Sequence, residues 1–124
     1  MTAVKNVEFR GRSECLLELV EFPASLNEAK VRLSQYAWES EQELVLLRPE
    51  HVISVLQRFV RKEISAAEVE DWANLIEGRE DIGLEARSEE MCSAAMHELA
   101  NPLLTRQLTS ESATEWIQWL ERAK

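Results

Sequence analysis

The chain has 124 residues, of which 45% are hydrophobic, and its formal net charge is −9. This length and composition predict one compact domain over residues 1–124, with a core large enough to need neither a metal nor a disulfide. The acidic balance argues against direct binding to nucleic acid or to an anionic membrane, because both attract clustered Lys and Arg.

The two cysteines, Cys15 and Cys92, belong to no recognisable motif. They are typical of free thiols, buried or half-buried, in a reducing compartment. The chain has no apolar run near the roughly 20 residues of a membrane span, and it does not open with a secretory signal pattern. We therefore expect a cytoplasmic protein.

The first 22 residues favour no single structure. Val7 and Phe9 have strand-like character, Gly11 suits a turn, and Leu17 and Leu19 alternate briefly with polar residues. A short N-terminal β-hairpin and a first helix over 13–20 are equally compatible with this pattern.

The rest of the chain is predicted to form helices joined by short connections. Ser25 and Glu28 form a capping-box pattern that opens a helix to about Trp38, and the apolar link 43–47 after it is compatible with an extended segment. Pro49 suits the first turn of the next helix, over about 49–61. Further helices are predicted over 88–100 and 110–122, so the expected fold is a mostly α compact bundle of about five helices.

The best-marked helix begins at Ser65, whose capping box is completed by Glu68. Gly78 is its expected stop, since glycine adopts the left-handed conformation without steric cost. The connection 79–87 after it is also acidic, with three acidic and two basic residues. Residues 63–90 contain ten acidic and two basic residues, a net of −8, so nearly all of the excess charge lies in this stretch.

The sequence offers little for catalysis. It has two histidines, and it lacks the HExxH, CxxC and GxSxG patterns and a phosphate-binding glycine loop. His51 is expected on the polar, solvated face of its helix. His97 is expected near a helix C-terminus, where a cation is favoured. The expectation is a protein that is not an enzyme and that uses no cofactor and no metal.

The carboxylates of the acidic stretch are the candidate binding residues. At 100° per residue, the four candidates up to position 77 lie on the helix face opposite Val69, Trp72 and Ile76, and the three from position 80 onward extend that face past Gly78. Acidic surfaces attract basic partners and speed their association. A charge run is also commonly a solvated face that keeps a protein soluble, and both interpretations are open. The candidates are Glu70, Asp71, Asn74, Glu77, Glu80, Asp81 and Glu85.

The tryptophans divide into two pairs. Trp72 and Trp116 fall on apolar stripes and are expected in the core. Trp38 and Trp119 have no such assignment, and an exposed tryptophan would be a candidate anchor for a partner.

The segment from His51 to Leu108 contains HVISVLQRFVRKEISAAEVEDWANLIEGREDIGLE and, further on, ELANPLL. With these motifs it resembles small bacterial immunity proteins. Some proteins of this kind are similar to the immunity proteins of colicin D and of contact-dependent growth-inhibition toxins. The resemblance covers about half of the chain and leaves out residues 1–47. It implies a helical protein that binds a cognate toxin domain, often a tRNA-cleaving nuclease, and blocks its active site.

Three functions follow as hypotheses. The first is an immunity protein that neutralises a basic nuclease toxin by steric and electrostatic occlusion. The second is a non-catalytic helical adaptor or regulatory protein whose groove binds an unrelated protein. The third is a small enzyme or metal protein, which would need a cleft that joins His51 or His97 to carboxylates.

Overall fold

The computed structural model describes the backbone of residues 2–124 and the side chains of residues 11–124. In this part of the chain the protein is mostly helical, with 61% helix and 5% strand. Six α-helices follow one another, two short strands lie between them, and a single turn of 3-10 helix covers Ala86–Ser88. The helices are α1 Thr2–Val20, α2 Leu26–Leu33, α3 Pro49–Val60, α4 Ala66–Ile76, α5 Glu89–Ala100 and α6 Ser110–Ala123.

The N-terminal segment is a helix, so the hairpin alternative is wrong. The backbone is helical from Thr2 to Val20, well before residue 13. Leu16, Leu19 and Val20 have the i, i+3, i+4 spacing of one helix face, and all three are buried. That spacing outweighs the brief alternation around Leu17. Met1 and the side chains of Val7 and Phe9 lie outside the described residues.

Helix α2 ends at Leu33, five residues earlier than the sequence predicts. Its start agrees with the prediction, since the Ser25 hydroxyl accepts a hydrogen bond from the Glu28 amide at 3.1 Å. The chain leaves the helix because the next segment is held elsewhere. The carbonyl of Ala37 accepts hydrogen bonds from two arginines that belong to other parts of the fold, Arg12 and Arg79.

The link 43–47 is extended where β1 forms, at Val45–Leu47. Strand β2, Ile82–Leu84, lies within the segment predicted only as an acidic connection. The two strands are parallel, with Val45 opposite Ile82 and Leu47 opposite Leu84. Helices α3 and α4 provide the crossover that a parallel pair requires.

Helix α4 has the caps that the sequence predicts. The Ser65 hydroxyl accepts from the Glu68 amide at 3.1 Å, and the Glu68 carboxylate accepts from the Ser65 amide at 3.0 Å. After the helix, Gly78 has a positive φ of 89°. The acidic helix is therefore fixed at both ends by local sequence.

The core is one apolar cluster to which every helix and both strands contribute. Helix α3 packs mainly on α6, α4 on α5, and α1 on α2. Trp72 is fully buried, and its indole N–H donates to the Leu19 carbonyl at 2.6 Å, which joins α4 to α1. Trp116 is also buried, so the core assignment of both tryptophans is confirmed. Cys92 is buried and Cys15 half-buried, and both are free thiols as predicted.

None of the helices in the described part of the chain combines the length and apolar character needed to cross a membrane.

Candidate functional site: the outer face of helix α4

The seven candidate residues do not form one continuous acidic face. Glu70, Asp71 and Asn74 lie on the outer side of α4, opposite Val69, Trp72 and Ile76, which are buried as predicted. The other four lie beyond the end of the helix, and each is engaged in a hydrogen bond or ion pair within the fold. The structure thus divides the candidates into three side chains that have no hydrogen-bond or ion-pair partner among residues 11–124 and four that have one.

Asp81 is the clearest departure from the prediction. It was expected on the acidic surface, but its side chain is 0% exposed. Its carboxylate accepts hydrogen bonds from Arg79 Nε at 2.9 Å and from a second Arg79 nitrogen at 3.0 Å. Arg12 Nε on α1 donates a third, also at 2.9 Å. Two guanidinium groups compensate the buried charge, so Asp81 stabilises the fold and does not belong to the acidic surface.

Glu77 and Glu85 are half-buried and also have partners. Glu77 Oε2 lies 3.1 Å from His97 Nδ1, and Glu77 Oε1 accepts a hydrogen bond from the side-chain nitrogen Nδ2 of Asn101 at 3.0 Å. Glu85 pairs with Arg48 at 3.3 Å. Both glutamates therefore connect the end of the acidic stretch to neighbouring elements.

Glu80 remains on the surface. Its carboxylate is exposed and accepts a long hydrogen bond of 3.4 Å from the Ser40 amide. Its backbone amide donates to the Trp38 carbonyl at 2.9 Å, which ties this position to the loop after α2.

Glu70, Asp71 and Asn74 form the surface that we call the α4 ridge. Among the side chains of residues 11–124, none forms an ion pair or a hydrogen bond with these three. Helix α4 itself has no basic residue. The ridge therefore presents two carboxylates and one amide that no side chain of the described part occupies.

A groove runs along each side of the α4 ridge. On the α2 side it is lined by Trp38, Leu26 and Lys30, with Asp71 and Asn74 at its edge; we call it the tryptophan groove. On the other side, Glu70 stands at the edge of a groove of about 560 Å³, which we call the leucine groove. Its apolar wall consists of Ala66, Ala67, Leu99, Pro102, Leu103 and Leu108.

Trp38 is a surface residue that packs against an arginine. It is 41% exposed, and the Arg79 guanidinium lies 4.8 Å from the centre of its ring. The same Arg79 binds the buried carboxylate of Asp81, so this ion pair also positions the guanidinium that contacts the indole. Trp119, by contrast, is half-buried and packs edge-on against Trp116, with 4.9 Å between ring centres.

The sequence interpretation missed Leu103 and Leu104. They are 100% and 81% exposed, in the turn between α5 and α6. A signal was present, since two leucines follow Pro102, outside any helical stripe. Exposed neighbouring leucines of this kind are unusual on a protein surface that contacts only water.

His51 is half-buried and has a structural partner, so the expectation of a solvated side chain is wrong. Its Nδ1 accepts a hydrogen bond from the Arg48 amide at 2.9 Å, which caps the first turn of α3. Burial lowers the pKa of His51, while Glu21 and Glu50 oppose that shift. His97 lies near the end of α5, as predicted, and its partner is Glu77.

The remaining chemistry is limited in the described residues. Burial raises the pKa of the Cys92 thiol, and a hydrogen bond with Ser88 opposes that effect. Within residues 11–124, no group of three His, Cys, Asp or Glu side chains is arranged to hold a metal ion.

Comparison with known proteins finds no family model, no curated protein and no solved structure that matches this chain.

Proposed function

We propose that this protein is an immunity protein that binds a cognate basic nuclease toxin domain and occludes its active site without catalysis of its own. The observation that carries the proposal is the α4 ridge, where Glu70 and Asp71 are adjacent, free of partners within the described side chains, and bordered by two grooves. The resemblance of residues 51–108 to immunity proteins agrees with this interpretation.

The proposed mechanism is electrostatic and steric. A nuclease active site faces phosphates and therefore carries positive charge. The carboxylates of the ridge would occupy the positions that RNA phosphates otherwise take, and the grooves would add shape and apolar contact around them. The buried cluster of Arg12, Arg79 and Asp81 would keep Trp38 in place beside the ridge, so little conformational entropy would be lost on binding.

Expression with the toxin tests the proposal. The toxin domain encoded next to this gene would be expressed in a sensitive host with and without this protein, and growth and tRNA integrity would be followed. Protection together with a purified one-to-one complex is the expected result. A neighbouring product that is neither toxic nor bound by this chain would refute the assignment.

Charge reversal tests the mechanism separately. Glu70→Lys with Asp71→Lys should slow association with the toxin and flatten its dependence on salt. The matched control is Glu89→Lys with Glu90→Lys, which changes the net charge equally from exposed positions in the same acidic stretch, outside the ridge. If both double variants bind alike, the ridge is not the interface, even where protection persists.

The second candidate function is a helical adaptor that binds a protein other than a toxin. Exposed Leu103 and Leu104 favour it, because an apolar surface serves partners of many kinds. A bound neighbour that has no toxicity would support this alternative.

A further inference from the structure

The turn that carries Leu103 and Leu104 is closed by hydrogen bonds. The Asn101 carbonyl accepts from the Leu104 amide at 3.1 Å, from the Thr105 amide at 3.0 Å and from the Thr105 hydroxyl at 2.7 Å. The Thr105 hydroxyl also lies 3.2 Å from the Glu98 carbonyl. The two leucines are therefore presented to the outside by a closed hydrogen-bonded turn.

The leucine groove combines the apolar surface of Leu103 with one charge that has no partner among the described side chains, and Leu104 lies next to the groove in the same turn. Two glutamates stand at its edge. Glu98 is already engaged, since its Oε2 accepts from the Trp116 indole at 2.6 Å and from Arg106 Nε at 3.3 Å. Glu70, on the opposite side, has no such partner among the described side chains. An occupant of the groove thus meets an apolar wall and a single uncompensated carboxylate.

The charge balance distinguishes between possible occupants. A second copy of this chain would bring a net charge of −9 toward another −9, and it would place its own acidic surface near Glu70. A segment with basic residues gains attraction in the same place. An apolar side chain of that segment would bury the exposed surface of Leu103.

We propose that the leucine groove is the apolar anchor site for an amphipathic basic segment of the partner protein. An apolar side chain of this segment packs on Leu103 in the groove wall and reaches the exposed Leu104 next to it, while a neighbouring Lys or Arg binds Glu70. This inference rests on the proposed function and specifies the chemistry of the partner. It assigns affinity to the leucines, and it assigns association rate and salt dependence to the carboxylates.

The test uses the full chain and three synthetic helical peptides. The first has a leucine stripe and lysines elsewhere, the second replaces its lysines by glutamates, and the third replaces its leucines by serines. Binding is measured by calorimetry and mapped by amide chemical shifts. The Leu/Lys peptide should bind and shift amides in α4 and in residues 99–108, and the other two should bind about tenfold more weakly or not at all.

Variants of the chain complete the test. Leu103→Ser with Leu104→Ser should weaken the Leu/Lys peptide about tenfold. The matched control is Val31→Ser, because Val31 is also a strongly exposed aliphatic residue, 64% exposed on α2. It should leave the affinity unchanged. Equal loss in both variants, or equal binding of the Ser/Lys peptide, would overturn the anchor site in favour of unspecific charge attraction.

Three further outcomes distinguish this inference from a dimer and from the proposed function on which it rests. Dimerisation of the wild-type chain that is lost in the leucine variant would overturn the basic partner and identify a second copy as the occupant. If the leucine variant binds and neutralises the toxin as well as the wild type does, the anchor site is refuted and the immunity function is supported. If the neighbouring gene encodes no toxin but the Leu/Lys peptide binds as described, the anchor site is supported and the immunity function is refuted.

Discussion

Arg79 donates two hydrogen bonds to the buried Asp81 carboxylate, and its guanidinium lies beside the ring of Trp38. One side chain therefore links the inside of the fold to an exposed aromatic residue at the edge of the candidate interface. Arg12 completes the arrangement, since it binds both Asp81 and the carbonyls of Ala37 and Glu39 around that tryptophan.

Removing the charge of Asp81 should therefore be costly. Asp81→Asn leaves the guanidinium groups of Arg12 and Arg79 without their carboxylate, and loss of one partner from a buried pair costs about 3–5 kcal/mol. Urea unfolding measures this cost. The control is Glu80→Gln at the neighbouring exposed acid, which should change the free energy of unfolding by less than about 0.5 kcal/mol. Similar values for the two variants would contradict the structural role of Asp81.

Asn74→Lys should affect stability and binding in opposite directions. A lysine at this position is four residues after Glu70 and three after Asp71, and lysine is the better helix former. We expect the free energy of unfolding to rise by about 0.5–1 kcal/mol. Binding to a basic partner should weaken, because the new cation lies within the α4 ridge. Asn74→Gln is the control, with a smaller gain in stability and unchanged binding. Unchanged binding by the lysine variant would argue against the ridge as an interface.

The stop of α4 depends on the backbone of Gly78. Its φ of 89° disfavours residues with a side chain, but a Cβ at this position would meet no atom within 4 Å. Gly78→Ala should therefore cost only the conformational strain, about 1 kcal/mol in thermal or urea unfolding. Gly78→Asn should cost less, since asparagine tolerates the left-handed region. A larger cost for asparagine than for alanine would contradict this explanation.

His51 should make stability depend on pH. Its pKa is lowered in the folded protein, so the unfolded chain binds the proton more tightly. The contribution of neutral His51 to the free energy of unfolding is complete above the ordinary pKa of 6.5. It declines as the pH falls from 6.5 toward the lowered pKa of the folded protein. Protonation of Nδ1 would also break the bond from the Arg48 amide.

The comparison that isolates this effect is His51→Asn, which keeps an acceptor near the position of Nδ1 but does not titrate. Unfolding free energies of both proteins would be measured across pH 5 to 8. The wild type should lose stability relative to the variant below about pH 6.5. Parallel curves would show that His51 is not the titrating group.

Much of the fold follows from local patterns. Capping residues and apolar stripes predict helices α3 to α6 with boundaries close to those observed, because caps and helical periodicity act within a few residues. The hairpin alternative fails since the alternation around Leu17 is too short to outweigh the helical spacing of Leu16, Leu19 and Val20. Strand β2 is not predicted, because a strand of only three residues is stabilised by hydrogen bonds to β1, which is distant in the sequence.

The candidate site shows the same division. The amino-acid sequence determines on its own that α4 turns its apolar side inward and Glu70 and Asp71 outward, because a single helix has one geometry. Only the tertiary structure decides which acids remain free. Asp81 is buried in an ion pair with Arg12, 69 positions away, and Glu77 contacts His97 on α5. Charge can be counted along a chain, but its compensation depends on which distant residues the fold brings within a few ångströms.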